Sequence, residues 1–292
     1  MVASGLLLGA LQLVPLFEVG RLNFREGSAT FAEVRGWAFP PRNALNFLLP
    51  DFFGNPTDHS IRDAFTGESI PMELNFNGEL NPFGAYTTSW GAKNYVEGAT
   101  YLGILPLVLA GIGLFGLFHQ RGLNTARRAH TWFFAGLVFF SLAFIFGTPL
   151  YALLFYGLPF INQLHTPFRW VFPLALSVAV LAGFGADWLS AGIRRGEQES
   201  RGAGQHAFKD VRGRILPFSL LLVGTAVLLG TALSRLFFDA IRPIVERLFL
   251  GLAGATYAFP SAEAFYSYLF WQILLLGGLL VSSGIVLLIA RR

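Results

Sequence analysis

Residues 266–290 read YSYLFWQILLLGGLLVSSGIVLLIA, a run without a single Asp, Glu, Lys or Arg. A helix needs about 20 consecutive apolar residues to cross the hydrocarbon of a bilayer, so this run is long enough. Gly98 to Phe118 (GATYLGILPLVLAGIGLFGLF) and Ile215 to Ser234 are equally free of charge. Backbone groups in hydrocarbon must satisfy their own hydrogen bonds, which makes such runs helices. Barrel strands would alternate polar and apolar residues, and these do not. Working outward, six apolar segments emerge, at about 2–17, 98–118, 131–147, 168–190, 215–234 and 266–290. The expected fold class is all-α: a polytopic integral membrane helical bundle with a long ordered extracytoplasmic loop.

Composition agrees. Of 292 residues, 54% are hydrophobic and 13% charged, against about 25% charged in a soluble domain. That argues against an ordinary cytosolic enzyme and excludes a disordered chain. The absence of cysteine removes disulfides, thiolate metal sites and cysteine nucleophiles. The five histidines are scattered, with no HxxxH or HExxH pair, so no dedicated metal site is expected. Net charge is +4, but the basic residues cluster between apolar runs, which reads as an orientation signal and not as a nucleic-acid surface.

Those clusters set the expected topology. Segment 119–130 carries Arg121, Arg127 and Arg128 with no acid, 191–214 carries Arg194, Arg195, Arg201, Lys209, Arg212 and Arg214, and the chain ends in Arg291–Arg292. With six crossings all three share a side, which the positive-inside rule makes cytoplasmic. The expected organisation is a first transmembrane helix at 1–18, an extracytoplasmic aromatic-rich loop at 19–97, transmembrane helices two to four at 98–190, a cytoplasmic linker at 191–214, and helices five and six at 215–292 with an outer amphipathic segment. In that segment Ile241, Ile244, Val245, Leu248 and Leu252 recur at helical spacing opposite Asp239, Arg242 and Glu246. The pattern fits a helix at the membrane interface or one packed on neighbouring outer loops. The first helix starts at once, without the basic n-region of a signal peptide. A spanning helix cut at its amino end reads the same way, and the expectation is an amino-terminally truncated or partial member of something longer.

The outer loop is the informative region. Loops beyond about 15 residues are usually functional or disordered, and thirteen aromatics between Phe24 and Tyr95 argue for order. Its turns include Pro50-Asp-Phe-Phe-Gly-Asn-Pro56 and Asn81-Pro-Phe-Gly84. Glu18 and Arg21 flank the first helix end; they form either a local ion pair or part of a polar cavity at membrane depth. In Leu158-Pro-Phe-Ile-Asn-Gln-Leu-His-Thr-Pro-Phe-Arg-Trp170, Thr166 and Pro167 suit a helix start. Arg169 then falls in a first turn where the helix dipole disfavours a cation, so it either meets an anion or reaches lipid headgroups. Asp187 is expected to reach the opposite interface, and Gly183-Phe-Gly185 to mark close helix packing. No nucleotide loop, triad or dinucleotide fingerprint is present.

Taken in order, the motifs resemble bacterial YfhO-type membrane proteins. Ala10-Leu-Gln-Leu-Val-Pro15 leads to Glu18; Phe39-Pro-Pro41 precedes Leu48-Leu-Pro-Asp-Phe-Phe-Gly54; Asn94-Tyr-Val-Glu97 leads into Tyr101-Leu-Gly103. Gly147-Thr-Pro-Leu-Tyr151, Leu158-Pro-Phe, Pro167-Phe-Arg169 and Leu181-Ala-Gly-Phe-Gly185 follow, so the resemblance spans roughly 6–190. Such proteins are similar to GT-C glycosyltransferases, with a catalytic site at the outer face of many helices. The resemblance implies transfer of a sugar from a polyprenyl-phosphate donor to an extracytoplasmic acceptor, in a multi-pass protein of the bacterial cytoplasmic membrane. Their catalytic acid sits in a first outer loop that precedes the matched region, so no catalytic residue carries over. Relatives have Arg-x-Pro-x-Arg where this chain has His165-Thr-Pro-Phe-Arg169, which would weaken phosphate binding or make it pH-sensitive. On this reading Arg169, His165 and Arg21 touch the donor phosphate, while Glu18 or Asp51 lines the sugar pocket. No organic cofactor is called for, and a divalent cation is compatible. The partners implied are the lipid bilayer and the lipid-linked sugar, with no nucleic acid. The alternative is a non-catalytic subunit that scaffolds partner membrane subunits. A transporter would show a repeat of broken helices, and none is evident.

Overall fold

The computed structural model describes residues 7, 9–11, 14–15, 18, 29–80, 87–91, 95–119, 125–157, 167–199 and 215–290. It is mostly helical, 73% helix and 4% strand. A cap comes first. Helix α1 (Phe31–Gly36) opens with a reciprocal capping box between Thr30 and Glu33, and a 3-10 turn follows at Pro41–Phe47. Strands β1 (Ser60–Arg62) and β2 (Ser69–Pro71) form an antiparallel hairpin with Ile61 opposite Ile70. The expected all-α fold thus gains one small sheet, where the Asp63–Gly67 turn returns the chain on itself through Gly67 N–H to Asp63 carbonyl, 3.0 Å. The four-residue α2 (Tyr95–Gly98) closes the cap.

The helical body contains α3 (Ile104–His119), α4 (Thr125–Ile145), α6 (Val171–Glu199), α7 (Leu216–Leu236) and α10 (Ala262–Ile289), with the short α5 (Ala152–Gly157) after α4. Four segments are long and apolar enough to cross a membrane: 125–145, 167–190, 216–236 and 262–289. Large apolar residues face outward along them, for example Leu222, Val223, Leu229 and Leu233 of α7, as lipid contact requires. The expected second span at 98–118 begins as helix only at Ile104. Gly103 takes φ +87°, and the Leu102 and Gly103 amides turn back to the Phe47 carbonyl, so the chain bends into the cap before α3 starts. Helix α6 continues through 191–199, within the expected linker.

Contacts give the helix directions. Leu109 meets Gly185 and Gly116 meets Trp188, so α3 and α6 run parallel. Arg127 reaches Asp187 while Phe144 meets Trp170 edge to face, so α4 runs against α6. Gly224 meets Val281 and Ser234 meets Tyr266 at 2.9 Å, so α7 and α10 are antiparallel. The cap therefore sits at one end of the bundle. Two cores join it there: Phe39 and Phe47 pack with Ile145, Phe168 and Leu174, and Phe53, Ile61, Met72 and Trp90 pack with Phe249, Phe259 and Phe265.

Helices α8 (Phe238–Gly251) and α9 (Ala253–Ala258) bridge α7 and α10 at the cap end. The amphipathic pattern expected there is realised with a shifted face. Phe238 and Phe249 are buried, Ile241 and Val245 pack beside the former, and Ile244 and Leu248 stay exposed. The helix is packed on the protein and keeps an apolar outer flank.

Candidate functional site

At the cap end, three short pieces of chain converge on one pocket lined by Asn43, Asn46, Asp51, Phe53, Gly54, Ser89, Gly91, Tyr95, Gly98 and Ala99. The double proline at 40–41 starts the 3-10 turn, in which side chains three apart eclipse one another. Asn43 and Asn46 therefore point the same way. Both are buried, at 2% and 7% exposure. Asn46 donates from Nδ2 to the Gly98 carbonyl at 3.0 Å, which ties the turn to α2. The Oδ1 atoms of both residues are buried without a hydrogen-bond partner.

Asp51 enters from the Pro50–Gly54 turn. Its φ of +54° is left-handed, a conformation that Asp tolerates better than most residues. The turn closes through Gly54 N–H to the Asp51 carbonyl at 2.8 Å. Tyr268 Oη and, at 3.5 Å, Gln272 Nε2 donate to the same carbonyl from α10. Trp90 Nε1 donates to the Phe52 carbonyl at 3.2 Å. The carboxylate accepts from Tyr95 Oη at 2.7 Å and from Asn55 Nδ2 at 3.3 Å. The bond to Asp51, with some burial and the negative charges of Asp51 and Asp58, pushes the Tyr95 phenol up to about 12. Around neutral pH it is a fixed donor.

The pocket is thus rich in acceptors. Among its described residues Asp51 is the only ionised group, and none carries a positive charge. Its volume is about 20 Å³, enough for one or two waters and too small for a sugar ring.

Of the residues singled out from sequence, only Asp51 lines this pocket. Arg169 lies in the 3-10 turn Pro167–Trp170 that leads into α6, exposed, between the buried Phe168 and Trp170, whose ring meets Phe144 edge to face. Glu18 is helical and exposed. His165 and Arg21 lie outside the described residues, as does Thr166. Asp187 pairs with Arg127 at 3.2 Å, at the end of the bundle away from the cap.

Asn43, Asn46, Tyr268 and Gln272 were not anticipated from the sequence. A signal existed for the first two: in PPRNALNFLLP (40–50) a Pro-led stretch places two carboxamides three residues apart inside an apolar run. Tyr268 and Gln272 are spaced like any helix face, and only the fold brings them to Asp51. Among the described residues no group of three or more His, Cys, Asp or Glu could hold a metal. No family model, no curated protein and no solved structure matches the chain.

Proposed function

We propose that this chain is a YfhO-type, GT-C-like membrane protein of the bacterial cytoplasmic membrane that takes part in moving a sugar from a polyprenyl-phosphate donor to an acceptor outside the membrane. The observation that supports this reading is the Asp51 pocket, held by three segments of cap and by α10 at one end of an apolar bundle. That is where a donor with its lipid tail in the bilayer would present its sugar. In the reaction the acceptor hydroxyl gives its proton to a carboxylate and its oxygen bonds to the anomeric carbon. The bond from that carbon to the phosphate oxygen breaks, and polyprenyl phosphate leaves with the electron pair. Asp51 would line the sugar side, and Arg169 would face the leaving phosphate.

The test is sugar transfer in proteoliposomes with labelled polyprenyl-phosphate sugars. Turnover that falls about 100-fold in Asp51→Asn and about 10-fold in Arg169→Ala supports the reading, magnitudes typical of a lost transition-state contact and a lost phosphate contact. No transfer from any donor in a hexose and pentose panel overturns it. One observation favours a second reading, a non-catalytic subunit that scaffolds partner membrane proteins: the pocket has no room for a sugar ring. Fixed stoichiometric copurification without turnover would decide for the subunit.

A further inference from the structure

We infer that the Asn43–Asn46–Asp51 pocket is a binding site for a hard divalent cation of the calcium class. The two carboxamide oxygens, Oδ1 of Asn43 and of Asn46, are buried acceptors with no donor, on side chains that are 2% and 7% exposed. An unsatisfied buried acceptor is costly to fold around, so such atoms call for something that accepts their lone pairs. The charged group on the described wall is the Asp51 carboxylate, beside the hydroxyls of Ser89 and Tyr95. A carboxylate offers about four lone-pair positions, and Tyr95 and Asn55 occupy two of them. The remaining two are available to a ligand.

The charge and chemistry of the wall select the ligand. Among the described wall residues the side-chain ligands are oxygens, the ionised Asp51 carboxylate and the neutral oxygens of Asn43, Asn46 and Ser89, with no sulfur or imidazole. Such a set suits calcium, whereas transition metals prefer nitrogen or sulfur. A phosphate or carboxylate would meet the like charge of Asp51 with, among the described wall residues, no cation to offset it. A pocket of about 20 Å³ holds a single ion that completes its shell with waters at the open side. Magnesium dehydrates reluctantly and demands a tighter octahedron, so calcium fits the mixed carboxamide and carboxylate set better.

The site is also preorganised. Eclipsed i, i+3 placement on the 3-10 turn sets the two carboxamides on one side, and the bond from Asn46 Nδ2 to the Gly98 carbonyl fixes the orientation of that amide. Tyr268 and Gln272 hold the Asp51 backbone from α10. A single carboxylate limits affinity, and the expected Kd falls in the range of weak extracellular calcium modules, about 10⁻⁴–10⁻³ M. The inference stands apart from sugar transfer, since its readout is ion binding.

The experiment uses the full chain in nanodiscs of zwitterionic lipid, with terbium luminescence sensitised by the nearby Tyr95 and Trp90 and competed by calcium. Saturable luminescence displaced by calcium near millimolar concentration, and weakened at least 10-fold in Asp51→Asn, is expected. Asn43→Asp keeps the oxygen in place and adds a charge. It should tighten calcium binding about 10-fold, a gain that misfolding would not produce. Absence of saturable binding up to 10-fold above the expected Kd overturns the inference, and so does unchanged affinity in both variants. Calcium binding without sugar transfer would sink the transferase reading alone; transfer without calcium binding would sink this one alone.

Discussion

Asp51 holds a left-handed backbone, and its neighbours supply what keeps it there. Gly54 closes the same turn at φ +86°, and a Cβ at that position would lie 1.9 Å from the Thr88 carbonyl oxygen. Gly54→Ala therefore meets both strain and a backbone clash, and is expected to cost at least about 2 kcal/mol. Gly78 shares the positive φ, at +75°, but nothing lies within 4 Å of its missing Cβ; Gly78→Ala should cost about 1 kcal/mol. Thermal unfolding of both variants in nanodiscs, followed by tryptophan emission, checks the order. Tyr95 offers a second test. Its bond to Asp51 favours the neutral phenol and raises its pKa to about 12. A raised pKa means that the contribution to stability is complete below the ordinary tyrosine value of about 10 and is lost as pH climbs through about 12. In a difference titration of tyrosinate absorbance, subtraction of Tyr95→Phe from wild type should leave one phenol ionising near pH 12. A phenol ionising near 10 would mean that the bond to Asp51 is absent. At this scale the sequence marked Asp51 through its turn of Pro, Gly and Asn. It hid Asn43 and Asn46, because a carboxamide in an apolar run reads like any polar interruption until the 3-10 geometry stacks two of them.

Two of the helix contacts, α3 with α6 and α7 with α10, pass through single glycines. A Cβ on Gly185 would fall 1.9 Å from the Leu109 carbonyl oxygen, and one on Gly113 would fall 2.4 Å from that of Leu181. The two helices α3 and α6 touch backbone to backbone there, the mode that small residues permit in membranes. Gly183 has nothing within 4 Å, although the two glycines form one sequence motif. Gly185→Ala should therefore force α3 and α6 apart and lower the apparent unfolding midpoint by several degrees, while Gly183→Ala should leave it nearly unchanged. Equal effects would mean that the motif acts through helix propensity alone. Element boundaries show where reading ran out. The apolar run from Gly98 hides a bend, because a positive φ at Gly103 and a return to the Phe47 carbonyl are tertiary facts. Helix α8 was visible by its period. Which of its apolar residues pack inward was not, since Phe238 and Phe249 extend the stripe in one direction while Ile244 and Leu248 widen it in another.

Across the whole molecule, uncharged length was the legible quantity. Runs such as 215–234 and 266–290 need no partner to be read, because the solvent they require dictates their helicity. The assembly of the pocket was not legible, because its lining comes from 43–46, 51–54, 89–91 and 95–99, and the Asp51 carbonyl gains its donors Tyr268 and Gln272 only when the cap docks on α10. Docking relies on contacts distant in sequence: Trp271 Nε1 to the Arg62 carbonyl at 2.8 Å, the Ala64 amide to Ser267 Oγ at 3.0 Å, and Arg235 to the Phe65 carbonyl at 3.0 Å. If the bundle spans a bilayer, the cap and the α4 start occupy opposite sides, and the positive-inside rule predicts from Arg121, Arg127 and Arg128 that the latter is cytoplasmic. The natural chain has no cysteine, so one introduced thiol reports its side without background. Asn77 in the cap and Arg128 near the start of α4 are both exposed. In intact spheroplasts, a membrane-impermeant maleimide should label Asn77→Cys and spare Arg128→Cys until the membrane is opened. Labelling of Arg128→Cys alone would invert the orientation and put the Asp51 pocket on the cytoplasmic side, away from any extracytoplasmic acceptor. Labelling of both in intact cells would mean that the helices from α4 onward do not separate two compartments.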